Sequence, residues 1–186
     1  MIKNAVSKVL TRTDNEVLRA VALSLIALAL TLIIVLILIG SLYYYIAFID
    51  GTKIDDIFTQ KKSSFSPENP FYFRMVIMAI LVAPLLETLL FFKIPLSFLS
   101  HYKFNKTLSV HIASFVFALM HVLFLTAGLG KFVTYFLALI SSWSWYLYQE
   151  LPQDKKMLYP YWFLVLIHAL YNTFSILIIT FFYKFT

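Results

Sequence analysis

Four polar side chains stand where the surrounding sequence is almost wholly apolar: Glu87, His121, His168 and Asn172. A carboxyl, two imidazoles and a carboxamide are groups that exchange protons, donate hydrogen bonds or ligate a cation. Such a group is expensive inside hydrocarbon unless it is paired, protonated or hydrated, so each is a functional candidate by default. Their spacing adds to their type. His168 and Asn172 are four residues apart, stacked on one helix face, where an imidazole and a carboxamide can together donate to one oxygen. Phe117 and His121 are likewise four apart, on a stripe that Ser114 extends. Glu87 follows Ala83-Pro84. Proline inside a helix frees a backbone carbonyl and kinks the chain, a device common near polar sites in membrane proteins.

The elements that must position these groups are membrane helices. Of the 186 residues, 61% are hydrophobic and 13% charged, and the mean hydropathy is +0.85. A soluble domain carries about 25% charged residues, and a chain this short cannot hide so much apolar side chain in one core. The reading is therefore an all-α fold, a polytopic transmembrane bundle of about five spans at 20–48, 71–99, 107–127, 132–148 and 157–183. Val21 to Ile49 holds no charge and is too long for a signal-peptide core, which predicts a retained helix and no cleavage. Residues 50–70 (DGTKIDDIFTQKKSSFSPENP) form the one extended polar loop. The chain reads as a single integral membrane domain over 1–186. Residues 1–70 form an N-terminal span plus polar loop, and 71–183 form the core that carries the polar residues.

Depth brings the candidates together. With a cytoplasmic N-terminus, Glu87 lies about 12 residues, ~18 Å, from the cytoplasmic end of its span. His121 lies roughly 14 residues in, ~21 Å, and His168 about 11 residues in, ~17 Å. Three helices deliver one carboxylate and two imidazoles to similar depth. His111 falls near its helix end and off the His121 direction, and stays outside the cluster. Lys93 can snorkel to an interface. The orientation follows from the basic residues. Lys3, Lys8, Arg12, Arg19, Lys93, Lys103, Lys106, Lys155 and Lys156 fall on the cytoplasmic side, against Lys53, Lys61, Lys62, Arg74, Lys131 and Lys184 opposite.

Several classes drop out. The net charge of +6 sits mostly between apolar runs, where topology places it, and does not point to nucleic acid. Cys is absent, which excludes a disulfide framework, a thiolate metal site and a cysteine nucleophile. The partners expected are the lipid bilayer and a protein or peptide substrate. Transport would bring internal repeats or further intramembrane carboxylates, and neither is found.

Three segments resemble a known family: Ala83-Pro84-Leu85-Leu86-Glu87-Thr88-Leu89-Leu90-Phe91, Phe117-Ala118-Leu119-Met120-His121, and His168-Ala169-Leu170-Tyr171-Asn172. They look like the three motifs of the CPBP intramembrane proteases, which include the type II CAAX prenyl endopeptidases and the Abi bacteriocin-processing and immunity proteins. The pattern is E-E-x-x-x-R, F-x-x-x-H, then H-x-x-x-N two helices later, with order and helix placement matching over about 71–183. Two positions depart from it: Thr88 stands for the second glutamate and Phe92 for the arginine. Removing one partner of a buried ion pair costs ~3–5 kcal/mol, whereas replacing both can be neutral, so the two changes read as one coordinated substitution.

The resemblance implies an intramembrane endopeptidase. Glu87 would take a proton from a water also held by His121, and His168 with Asn172 would donate to the developing oxyanion. Thr88, Phe117 and Ser114 are the supporting positions. A metal version uses Glu87, His121 and His168 as a His2Glu zinc set. If Glu87 is a ligand, however, Thr88 leaves no second carboxylate to act as base, so the sequence leans to a site with no cofactor. The other reading is a non-catalytic, bacteriocin-immunity-like or scaffold protein that retains the fold. A minimal bundle of this kind suits a bacterial inner membrane.

Overall fold

Among the described residues, each apolar run of the sequence carries one long helix. The structure, a computed structural model, describes residues 1–45, 71–124 and 130–183. Its helices are α1 (Ile2–Arg12), α2 (Glu16–Tyr45), α3 (Tyr72–His101), α4 (Lys106–Phe124), α5 (Gly130–Glu150) and α6 (Pro160–Tyr183). A single 3-10 turn, Gln153–Lys155, lies between the last two, and no strand occurs among the described residues. The five runs read from sequence thus coincide with α2 to α6, while the polar loop 50–70 and the ends of the first and third runs lie outside the described residues. By length and composition, the helical stretches Tyr72–His101 and Gln153–Ile178 are the two among the described residues able to cross a membrane.

Local chemistry sets the ends. Asn15 caps α2, its Oδ1 accepting from the Val17 and Leu18 N–H groups at 2.9 and 3.2 Å. Asn105 caps α4 in the same way, accepting from Thr107 and Leu108 at 2.9 and 3.2 Å. Between α3 and α4, Lys103 takes the left-handed conformation (φ 55°), and Phe104 N–H returns to Leu99 O at 3.0 Å, closing the helix end.

The segment before the first run is itself a helix. In α1, Ile2, Val6, Val9 and Leu10 line one face at helical spacing, and Val6 and Leu10 are buried. That face packs on α5, with the Lys3 ammonium 5.2 Å from the Trp143 ring centre. Helix α5 is the centre of the bundle. It contacts α1, α2, α4 and α6, and every residue from Leu137 to Tyr146 is buried. Small side chains allow the close approach. Ser114 donates to Val110 O at 2.7 Å and lies 3.3 Å from Ser142 across the α4–α5 seam. Ser24 Oγ lies 2.7 Å from Ala20 O and 2.9 Å from Ile167 O, at the α2–α6 seam.

The outer surface is apolar. Phe73, Leu81, Leu86, Leu90 and Phe98 of α3 and Phe115 of α4 are all exposed. A contiguous outward face of this kind fits a hydrocarbon solvent and is rare on soluble monomers. The polar groups gather at one end of the bundle. Lys106 pairs with Glu150, Lys155 lies 3.7 Å from Asp14, and the Arg19 guanidinium binds Lys155 O at 2.7 Å. Glu16 and Arg19 are buried there. One Glu16 oxygen accepts from the Tyr148 hydroxyl and from Met157 N–H at 2.5 Å. Arg19 also donates to Thr13 O.

Candidate active site

Helix α3 brings Glu87 to its place through two irregular turns. Residues Met78–Val82 and Leu89–Lys93 are π-helical, and each is followed at once by a residue and then a proline, Pro84 and Pro95. Proline has no N–H and its ring crowds the carbonyl four residues back. Widening the turn relieves that crowding, and single π turns of this sort recur at functional sites. At the first, Ala83 N–H reaches back five residues to Met78 O. At the second, Ile94 N–H reaches Leu89 O. The short α-helical stretch between them, Ala83–Thr88, carries Glu87.

The expected trio converges. Glu87 Oε2 lies 3.4 Å from His121 Nε2 and 3.5 Å from His168 Nε2. The three residues come from α3, α4 and α6, as the depth argument requires. Their side chains are 23%, 14% and 3% exposed respectively, so the carboxylate is the most open member and His168 is sealed. His121 Nδ1 lies 2.9 Å from Phe117 O. A carbonyl only accepts, so that nitrogen carries the hydrogen, and in neutral His121 the Nε2 lone pair faces Glu87. His168 Nδ1 is buried with no hydrogen-bond partner. The tautomer that leaves Nδ1 bare puts the hydrogen on Nε2, towards Glu87 Oε2.

Phe117 holds the trio in shape. Its ring is fully buried, 4.2 Å from the His121 ring and 5.8 Å from that of His168. Phe91 and Phe92 meet its other sides at 5.6 and 5.1 Å. The arginine position of the motif is therefore filled by a buried ring in an aromatic cluster. Thr88, in the place of the second glutamate, is buried too, and its hydroxyl has no hydrogen-bond partner. Ser114 is engaged at the α4–α5 seam, as described above. His111 is exposed and pairs with the Tyr135 hydroxyl at 2.8 Å, away from the trio's contacts. Lys93 sets its ammonium 5.0 Å from the Tyr161 ring centre.

Asn172 has a different partner from the one its spacing suggests. Its Nδ2 donates to Ala79 O on α3 at 2.7 Å. Two further bonds join the same helices: Tyr161 donates to Leu85 O at 3.0 Å, and the Tyr72 and Thr180 hydroxyls lie 3.1 Å apart. An open apolar groove of about 370 Å³ follows this seam, lined by Ile80, Leu81, Leu85, Leu158, Trp162, Val165, Leu166 and Ala169. None of the trio lines it.

The family model described as Type II CAAX prenyl endopeptidase Rce1-like matches residues 69–174, more than half of the chain. The chain belongs to this family. The match spans all of α3, α4 and α5 and reaches Glu87, His121, His168 and Asn172. Membership of this Rce1-like peptidase family, with the two long apolar helical stretches, is consistent with an integral membrane protein whose substrates are peptides. No curated protein and no solved structure matches the chain.

Proposed function

We propose that this chain is an intramembrane endopeptidase in which Glu87 and His121 activate a water for attack on a peptide carbonyl. The observation that carries the reading is the meeting of one carboxylate oxygen with two imidazole nitrogens from three helices. With Nδ1–H committed to Phe117, neutral His121 and ionised Glu87 present two acceptors to each other 3.4 Å apart. A water that donates one hydrogen to each keeps its lone pairs free and aimed outward, the arrangement a nucleophilic water needs. Glu87 takes the proton as the bond forms and returns it to the leaving amine. His168 Nε2–H, which faces Glu87 Oε2 at 3.5 Å, turns to the oxyanion once Glu87 has taken the proton and lost its charge; one donor of this kind contributes ~3–4 kcal/mol in other enzymes. Asn172, with one amide hydrogen on Ala79, contributes through the backbone it holds.

The chemistry of the donor set favours a site without zinc. A metal-bound imidazole normally gives its other N–H to an acceptor. His121 has one in Phe117 O, while His168 Nδ1 is buried without any. Thr88 also leaves no second carboxylate as base. Stoichiometric zinc in purified protein, with cleavage lost to chelators and restored by zinc, would reverse this.

The membrane topology belongs to the same proposal: five crossing helices, α2 to α6, with the Lys106–Glu150 and Asp14–Lys155 end on the cytoplasmic side of a bacterial inner membrane. The substitution of Thr88 and Phe92 favours one competing reading, a non-catalytic partner-binding protein on the same fold. The test compares membrane proteomes of cells that lack the protein, express it, or express Glu87→Gln. An enzyme loses its cleavage products with Glu87→Gln and accumulates uncut substrate. A binding protein keeps its phenotype in that variant.

A further inference from the structure

The bond from Asn172 to Ala79 answers a deficit that Pro84 creates. In the π turn, Ala83 N–H is taken by Met78 O five residues back. The next carbonyl in that order, Ala79 O, is due the N–H of residue 84, and residue 84 is proline. A backbone carbonyl without a donor is costly in a low-dielectric interior. Asn172 Nδ2 stands 2.7 Å from that oxygen, part-buried, on the helix that also carries His168 one turn away. From this geometry we propose that Asn172 is a positioning residue. Its side-chain amide replaces the N–H missing at Pro84 and clamps α3 to α6 one turn of α6 away from where Glu87 meets His168.

The clamp accounts for three facts together. It explains why an asparagine, with a donor rigidly placed by a short side chain, stands one turn from His168. It explains how a proline is tolerated within a long helix at membrane depth. It also fits the pattern of the seam, since the Tyr161–Leu85 bond supplies a second donor from α6 to an α3 carbonyl at 3.0 Å. Together with the Tyr72–Thr180 contact, these fix the antiparallel register of the two helices on which the Glu87–His168 distance of 3.5 Å depends. The clamp itself stands whether or not the protein cuts; only its consequence for cleavage rests on the endopeptidase reading.

The experiment is a double-mutant cycle between positions 84 and 172 in the purified full chain, read by thermal unfolding in detergent and by cleavage in vesicles. Asn172→Ala leaves Ala79 O without a donor and lowers the unfolding midpoint by roughly 5 °C. Pro84→Ala restores an N–H to the helix, so Asn172→Ala in that background shifts the midpoint by under about 1 °C relative to Pro84→Ala alone. Cleavage follows the same pattern. Asn172→Ala costs at least tenfold in kcat relative to its parent, and under about twofold relative to Pro84→Ala. Asn172→Leu keeps the volume, removes the donor and lowers the midpoint as Asn172→Ala does, which decides the matter where Pro84→Ala fails to fold. An equal drop in both backgrounds, or an Asn172→Leu protein as stable as the parent, overturns the clamp. So does Asn172→Ala that abolishes cleavage at unchanged stability, which makes Asn172 a direct donor instead. If no variant and no parent cleaves, the endopeptidase reading fails while the midpoints still decide the clamp.

Discussion

Thr88 and Phe92 sit one turn apart, 0% and 1% exposed, where the family pattern has a glutamate and an arginine. Replacing them singly and together measures whether the two changes are linked. Phe92→Arg removes a ring packed 5.1 Å from that of Phe117 and places a guanidinium in a sealed interior. Losing a buried phenylalanine side chain costs about 3–5 kcal/mol, partly offset by the arginine stem, and an unpaired buried charge costs ~3–5 kcal/mol more. Thr88→Glu alone likewise buries a carboxylate without a cation. In Thr88→Glu/Phe92→Arg the charges face each other, so the unpaired-charge costs are partly relieved, while the desolvation of the pair and the packing loss remain. The double variant is expected to be more stable than the sum of the singles by roughly 3 kcal/mol. At about 2–4 °C per kcal/mol for a chain of this size, that is ~6–12 °C in the unfolding midpoint. Unfolding in detergent, followed by the emission of buried Trp143 and Trp145, reads it directly. A double variant whose loss equals the sum of the two single losses refutes the linkage.

Tyr148→Phe removes one of two donors to the buried Glu16 carboxylate and keeps the ring stacked 4.4 Å from Phe163. It is expected to cost ~1.5–3 kcal/mol, seen as a lower unfolding midpoint, while Tyr148→Leu falls further through lost stacking. Lys106→Ala is the contrasting case. Its pair with Glu150 joins two side chains more than half exposed, so the change in stability stays under about 0.5 kcal/mol and vanishes in high salt.

The helices were legible because apolar run length is a strong signal. The runs starting near residues 20, 71, 107, 132 and 157 each contain one helix, within a few residues at each end. The meeting of Glu87, His121 and His168 was legible from depth alone, because a charge in hydrocarbon has few places to go. Other features were not. Glu16 and Arg19 look like ordinary charges at a span end, and their burial depends on Tyr148 and Lys155, distant in sequence. A signal for α1 is present in the spacing of Ile2, Val6, Val9 and Leu10, interrupted by the lysines at 3 and 8. The Asn172–Ala79 bond has no sign of its own in the sequence. The distance of Asn172 from His168 assumes nothing about α3, whereas the free Ala79 carbonyl exists only because Pro84 follows a π turn. Lys93 closes the second π turn, Leu89–Lys93, where residues no longer advance 100° apiece.

The central claim is that Glu87 activates water to cut a peptide bond. Purified protein in lipid vesicles, incubated with membrane proteins in ¹⁸O-water, tests it in one measurement by mass spectrometry of new chain ends. The account predicts new termini whose carboxyl groups carry one ¹⁸O with the parent protein, and a loss of at least about a hundredfold with Glu87→Gln. Equal amounts of the same labelled termini from parent and Glu87→Gln would contradict it.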